Sequence, residues 1–377
     1  MANHLHELFE HGQSVWMDNL SRDILTSGEL ASAIASGNIR GITSNPAIFE
    51  KAIAGNAIYD TAIAEAVQDG KDVQGVYETL AFADIQAAAD LLRPVYESSN
   101  GVDGYVSIEV SPNLAGDTAG TIAEAQRFWQ TLNRPNIMIK IPGTAAGFPA
   151  IEATIAAGIP VNVTLLFSVA DYEQTAMAYI RGLEALAAQG QSVKVASVAS
   201  FFLSRIDTKI DARLQALAAT ADETQQAKLN SLMGKAAIAN AKMAYQRYKE
   251  IYNTAAWQAL AAQGALEQRL LWASTSTKNP TYSDVMYVDN LVGDNTVNTM
   301  PPETIDACID HCDVSDRLEA NLDQARQVLA DFTELGIDLD VVMQELQTEG
   351  IDKFVKPFAS LMKSLETKMA SLQPTSV

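Results

Sequence analysis

NIMIKIP, residues 136–142, is the stretch from which the rest of the chain is read. Side chains alternate across a strand, so Ile137, Ile139 and Ile141 share one face while Met138 and Lys140 share the other. Three branched aliphatics in a row suit a face covered by helices. The opposite face then carries a cation into a core. Burial disfavours the charged form of an amine, so such a lysine is either paired with a carboxylate or kept neutral for chemistry.

Working outward, there are seven further short β-rich runs: SVWMDN (14–19), GITSNP (41–46), GYVSIEV (104–110), IPVNVTLLF (159–167), VKVASVASFF (193–202), RLLWAST (269–275) and DVMYVDNL (284–291). Helical patterns such as ILTSGELASAIAS, AEAQRFWQTL and YEQTAMAYIRGLEALAAQ lie between nearly all of them. Strands alternating with helices make a parallel sheet, and eight such units predict a closed α/β (β/α)8 barrel. Two connections exceed one helix, about 50–103 after the second strand and about 205–268 after the sixth, and both read as helix pairs. A charged helical region follows from about 301 to 372. No repeat and no Gly/Ser/Pro-rich linker divides the chain, so 1–377 is expected to form one barrel domain.

Applying the alternation to the other strands collects a polar inner face. Ser107 and Glu109 fall opposite Val106, Ile108 and Val110; Asn162 and Thr164 fall opposite Val161, Val163 and Leu165. Asp18 shares a face with Trp16, and Asn45 with Thr43. A barrel interior is ordinarily filled by branched apolar layers, whereas polar groups at strand C-termini mark its catalytic end. One inward Asn or Thr is commonly a satisfied core hydrogen bonder; five consecutive strands ending in polar groups fit a shared site better. Lys140 is then a structural partner of Glu109 or Asp18, or the reactive amine.

Composition narrows the chemistry. With 26 Lys+Arg against 46 Asp+Glu the net charge is −20, which opposes nucleic acid and anionic lipid as partners and requires any anionic substrate to find a locally basic pocket. The N-terminal stretch lacks a leader pattern and no run of about 18 apolar residues occurs, so a cytoplasmic protein is expected. Cys308 and Cys312 fit a reducing compartment; with His311 between them they supply at most three zinc ligands, and buried helix residues are the plainer reading. The histidines are His4, His6, His11 and His311, none of them at the ends of the second to eighth strands, so a His-built metal centre or a Ser-His-Asp triad lacks its parts. No GxxxxGK[ST] or strand-following GxGxxG is present, and no cofactor is expected. Carboxylates, one inward amine, amides and hydroxyls remain. They suit Schiff-base chemistry, in which a neutral lysine adds to a ketone, the iminium accepts electrons from the breaking bond, and Asp18 and Glu109 move the protons.

From Asp18 to Pro301 the motifs TSNPAIF, the Glu of SIEV, IKIPGT, VNVTLLFS, SFFLSRID and VNTMP, in this order, resemble the transaldolase family of the pentose phosphate pathway. Length and long helical insertions resemble its larger bacterial subfamily. The resemblance implies transfer of a dihydroxyacetone unit from sedoheptulose 7-phosphate to glyceraldehyde 3-phosphate, giving erythrose 4-phosphate and fructose 6-phosphate. It implies Lys140 as the Schiff-base lysine, Asp18 as the acid/base at the hydroxyl of the cleaved carbon, and Glu109 with Thr164 as holders of a catalytic water. Asn45, Asn162 and Ser200 would grip the dihydroxyacetone hydroxyls, Phe202 would line the pocket, and Arg205 would bind phosphate. The family's Ser-x-Arg after the seventh strand is altered here to ASTSTKNP, so Ser274 matches while Ser276 or Lys278 would have to complete the phosphate site. Related fructose-6-phosphate aldolases carry Tyr at the position of Phe202 and Gln at that of Glu109, so both positions favour transfer over release. A phosphosugar-binding barrel without turnover is the other alternative. The partners expected are sugar phosphates, with the enzyme a monomer or homodimer.

Overall fold

A computed structural model describes residues 3–372. Its eight strands are β1 (Gln13–Met17), β2 (Gly41–Ile42), β3 (Val106–Glu109), β4 (Ile137–Pro142), β5 (Val161–Leu166), β6 (Ser197–Phe202), β7 (Arg269–Ala273) and β8 (Thr296–Met300). All pair in parallel in chain order, and β8 returns to β1 from Gln13↔Thr296 to Met17↔Met300, closing the barrel. Helices stand between the strands, giving the (β/α)8 architecture expected of the alternation.

The outward isoleucines of β4, Ile137, Ile139 and Ile141, are wholly buried beneath those helices, each worth roughly 1.5–3 kcal/mol on removal from water. Their inward neighbours Met138 and Lys140 are buried as well, so both faces of this strand are enclosed.

The eighth strand corrects the sequence reading. Residues 284–291 hold a single helical turn, Met286–Asn290, and the barrel is closed instead by TVNTM at 296–300. The buried apolar residues Val285, Val288 and Leu291 recur every three positions, a helical and not a strand spacing. The Tyr287 hydroxyl further pins the turn by donating to Asp207 Oδ2 at 2.8 Å. A turn at Gly293–Asn295, with Asn295 at φ 54°, then launches the true strand.

The long connections are richer than helix pairs. The first contains helices Pro46–Ile53, Asp60–Gln68 and Val73–Ser98; the second contains Ser204–Ala218, Glu223–Leu232, Ala236–Tyr252 and Ala255–Ala261. Local chemistry starts several of them: Asp72 accepts from Gly75 N, Ser168 from Asp171 N, and Asp222 with Gln225 forms a reciprocal capping box. After β8 come Pro302–His311, Leu322–Glu334 and Leu339–Leu372. The last of these buries Val342, Met343, Leu346, Gly350, Phe354, Phe358, Leu361 and Leu365, a stripe at helical spacing.

The two barrel ends differ in purpose. At the N-terminal end Asp103 accepts from Ser14 Oγ (2.7 Å), Trp16 Nε1 (3.2 Å), Arg40 Nε (2.9 Å) and Arg269 Nη2 (2.9 Å). Trp16 lies so close over Gly41 that a Cβ there would fall 2.5 Å from the ring. None of these five side chains leaves a buried polar atom without a partner, as a purely structural network requires. At the C-terminal end the polar atoms are less fully paired. Among the described residues no helix is long and apolar enough to cross a membrane.

Candidate active site

Strand register sets the centre of the site. Glu109 pairs with Lys140 in the β3–β4 ladder and Lys140 with Asn162 in the β4–β5 ladder, so three polar side chains stand at one level on adjacent strands. Lys140 Nζ lies 3.5 Å from Glu109 Oε2 and donates to Ser44 O at 3.2 Å. Both side chains are buried, yet neither carboxylate oxygen of Glu109 accepts a hydrogen bond from the protein. Burial pushes the Glu109 carboxyl up to about 7, against the opposing pull of Lys140 and Arg205. A carboxyl poised there can exchange a proton near neutrality.

Asp18 follows β1 and is only half-buried at the cavity. It accepts from Thr43 Oγ1 at 2.6 Å, and Thr43 in turn shares a hydrogen bond with Thr299 of β8 at 2.6 Å. Enclosure raises the Asp18 carboxyl above its ordinary value, with Lys140, Thr43 and Arg205 pulling it back. Glu109 and Asp18 are thus two carboxyl groups in unequal surroundings, one desolvated and bare, the other held by a hydroxyl. That is the division of labour expected of an acid/base pair.

An open cavity of about 440 Å³ is lined by Asp18, Thr43, Asn45, Lys140, Ser200, Phe202, Arg205, Ser274, Thr299 and Phe354, among others. Asn162 is wholly buried behind the lining residue Ser200, donating to Ser107 Oγ (3.0 Å) and accepting from Ser200 Oγ (2.7 Å). Thr164, one pleat further along β5, is buried with its hydroxyl unpaired in the protein. Asn45 caps helix Pro46–Ile53 by accepting from Ala47 N and Ile48 N, which fixes its carbonyl and leaves its amide for the cavity. Glu109 does not line this cavity; it borders a separate cleft that includes Asn45, Gln74, Tyr77, Phe128 and Phe358, and meets the cavity through Lys140, 3.5 Å away.

Arg205, in the first turn of helix Ser204–Ala218, stacks its guanidinium against Phe202 (5.0 Å) and Phe354 (5.9 Å). Its Nη1 is buried without an acceptor, and among the described residues no carboxylate forms an ion pair with it. Burial lowers the guanidinium's pKa, yet an arginine stays charged. An unpaired forked cation in a cavity is a site for a carboxylate or phosphate. Ser274 beside it adopts φ 58°, a left-handed conformation costing roughly 1–2 kcal/mol for a side-chain-bearing residue, and bonds Ser204 through both its hydroxyl and its carbonyl. Strain held at a cavity wall is common where binding groups are aimed.

Ser276 and Lys278 lie elsewhere. Lys278 is exposed, donates to Ser276 Oγ at 2.7 Å, and faces a neighbouring groove with Asp207, Asp211 and Tyr282. Cys308 and Cys312 are buried, while His311 points outward to Asp284 and Asp310, so the three do not converge. The sequence places Thr43 on the inner face with Asn45 but gives it no role, and it does not single out Thr299 or Phe354. TSNP and VNTMP contain the two threonines; nothing local to Phe354 assigns it to the cavity.

A sequence profile of the Transaldolase/Fructose-6-phosphate aldolase family matches residues 15–365. The chain belongs to this family. It is 58% identical over 378 residues to a transaldolase of Trichodesmium erythraeum, covering 99% of this chain and 100% of that one. It is equally 58% identical to a "Transaldolase 2" of Nostoc punctiforme, with 99% of each chain covered, and 47% identical to a transaldolase of Thiobacillus denitrificans over 94% of this chain and 97% of that one.

Proposed function

We propose that this chain transfers a dihydroxyacetone unit between sugar phosphates through a Schiff base on Lys140, taking it from sedoheptulose 7-phosphate to glyceraldehyde 3-phosphate. The observation that carries the reading is one buried amine beside two carboxyl groups of unequal environment, in a cavity whose remaining cation has no partner.

Lys140 gives up a proton to Glu109 and adds to the ketose carbonyl carbon; the carbonyl oxygen departs as water, handled by Glu109 and Thr164. Asp18 takes the proton from the hydroxyl of the carbon to be released, that carbon becomes an aldehyde, and the bonding electrons pass into the iminium. The three-carbon enamine stays on Lys140 until an acceptor aldehyde arrives, and the same steps run backward. Asn45, Asn162 and Ser200 hold the hydroxyls of the retained unit, while Arg205 with Ser274 holds the phosphate. Phe202 supplies an apolar wall, and Glu109 an ionisable group where release-type relatives carry Gln, so we favour transfer over release. The protein acts in the cytoplasm, as a monomer or homodimer.

Borohydride reduction in the presence of fructose 6-phosphate should leave a three-carbon adduct on Lys140, located by peptide mass mapping and absent from Lys140→Ala. A wild-type protein that gives no adduct would overturn the Schiff base; rapid release of dihydroxyacetone without an acceptor would overturn transfer.

A further inference from the structure

We propose that Phe354, brought to the cavity by the C-terminal helix, sets how often the enzyme-bound three-carbon unit passes to an acceptor and how often it is lost to water. The inference rests on the Schiff-base reading of Lys140 and adds a specificity-determining residue to it.

The Phe354 ring centroid lies 5.6 Å from Lys140 Nζ and 5.9 Å from the Arg205 guanidinium carbon. The side chain is buried, and it comes from no strand or strand-following loop but from helix Leu339–Leu372. Gly350 and Phe358, four residues to either side, share its face. At Gly350 a Cβ would sit 2.8 Å from Leu165 Cδ2, so the helix backbone rests directly on β5. Phe358 meets Tyr77 edge-on at 5.4 Å. Gln347 Nε2 donates to Gly143 O at 2.9 Å, and Glu345 pairs with Lys209 (2.9 Å) and Arg213 (2.8 Å). Phe354 is therefore a fixed wall, the one member of an apolar stripe that faces the reacting amine.

After carbon–carbon cleavage the enamine on Lys140 has two fates. In transfer, its nucleophilic carbon bonds to the acceptor's aldehyde carbon and the aldehyde oxygen takes a proton. In loss, that carbon takes a proton, restoring the iminium; one water adds to the iminium carbon, and the nitrogen leaves as the free amine while dihydroxyacetone departs. In transfer the new ketose is likewise left as an iminium on Lys140 and one water frees it, so the fates part earlier: only loss needs a proton delivered to the enamine carbon, and water beside Lys140 is its source. A phenyl ring there offers water no hydrogen bond and so leaves no ordered proton source beside the enamine. Removing it opens the hydrolytic fate more than the transfer fate.

The test compares full-length wild type, Phe354→Leu and Phe354→Ala with fructose 6-phosphate as donor, with and without acceptor aldehyde, scoring dihydroxyacetone freed per unit transferred. The ratio should rise about tenfold or more in Phe354→Ala and less in Phe354→Leu, with the borohydride adduct still on Lys140. Leu346→Ala, buried on the same helix and lining neither the cavity nor the Glu109 cleft, should lower the melting temperature and leave the ratio unchanged. An unchanged ratio in Phe354→Ala, or an equal rise in Leu346→Ala, overturns the proposal. If Phe354→Ala does not fold, the ratio in Phe354→Leu decides. Absence of the adduct from wild type instead overturns the Schiff base.

Discussion

Replacing Glu109 by Gln should remove the acidic limb of the pH–rate profile together with most of the turnover. Glu109 is buried, its oxygens accept nothing from the protein, and desolvation pushes its carboxyl up to about 7 although Lys140 lies 3.5 Å away. With that value roughly a tenth of the free enzyme carries the ionised form at pH 6 and roughly nine-tenths at pH 8, a change of about tenfold in the form able to accept the Lys140 proton. Gln keeps the shape and cannot take a proton, so loss of a general base should cost ~10²–10⁴-fold, or ~3–5 kcal/mol of barrier. The assay is kcat/KM for fructose 6-phosphate, which reports the free enzyme, measured from about pH 5.5 to 9. Wild type should climb and level near pH 8, and Glu109→Gln should be low and flat across that limb. A variant that keeps the wild-type limb, or a wild type already flat at pH 6, would refute the assignment. Stability runs the other way: a carboxyl raised from 4.5 to about 7 binds its proton more tightly in the folded chain, so its contribution is fully present below about 4.5 and is lost as pH rises towards 7.

Three further perturbations separate the roles. Asp18→Asn should still form the borohydride adduct but cleave the donor at least ~10²-fold more slowly; full turnover in that variant would remove Asp18 from the proton path. Arg205→Ala should raise KM for phosphorylated donors by at least ~10-fold, the scale of one lost charge-assisted contact, and have little effect on free dihydroxyacetone as donor, which steady-state kinetics with both donors would check. Asp103→Asn, far from the cavity, should destabilise by roughly 3–5 kcal/mol in urea titration because it leaves the buried Arg269 and the half-buried Arg40 without their carboxylate. Burial would raise the Asp103 carboxyl, but Arg269, Ser14 and Arg40 hold it below its ordinary 3.8, so its stabilisation is present above that pH and is lost as pH falls below it; a wild-type stability that does not fall in acid more steeply than that of Asp103→Asn would count against the network.

The inner polar face was legible because strand alternation is a local code: once NIMIKIP is a strand, Lys140 must point away from Ile139 and Ile141, and the ladder places it beside Glu109 and Asn162. The same reasoning misplaced the eighth strand, since DVMYVDNL satisfies a hydropathy count while its Val285, Val288 and Leu291 spacing is helical; TVNTM, largely polar, closes the barrel because both its faces find polar partners, Thr299 bonding Thr43 at 2.6 Å in the interior and Asn298, on the helix-facing side, donating to Gln13 at 3.3 Å. Lys278 was offered as a stand-in for the arginine of the family's Ser-x-Arg at a changed spacing, which a loop turning outward from Ser274 does not honour. Phe354 lay beyond any local code. An amphipathic stripe announces that a helix docks, but where it docks is settled by pairs hundreds of residues apart in sequence, such as Gln347 on Gly143 and Gly350 on Leu165. The strands therefore fix which atoms can react, while the helix beyond the barrel closes the wall over them. Substitutions in the two should accordingly separate, the first changing whether the bond breaks and the second changing where its product goes.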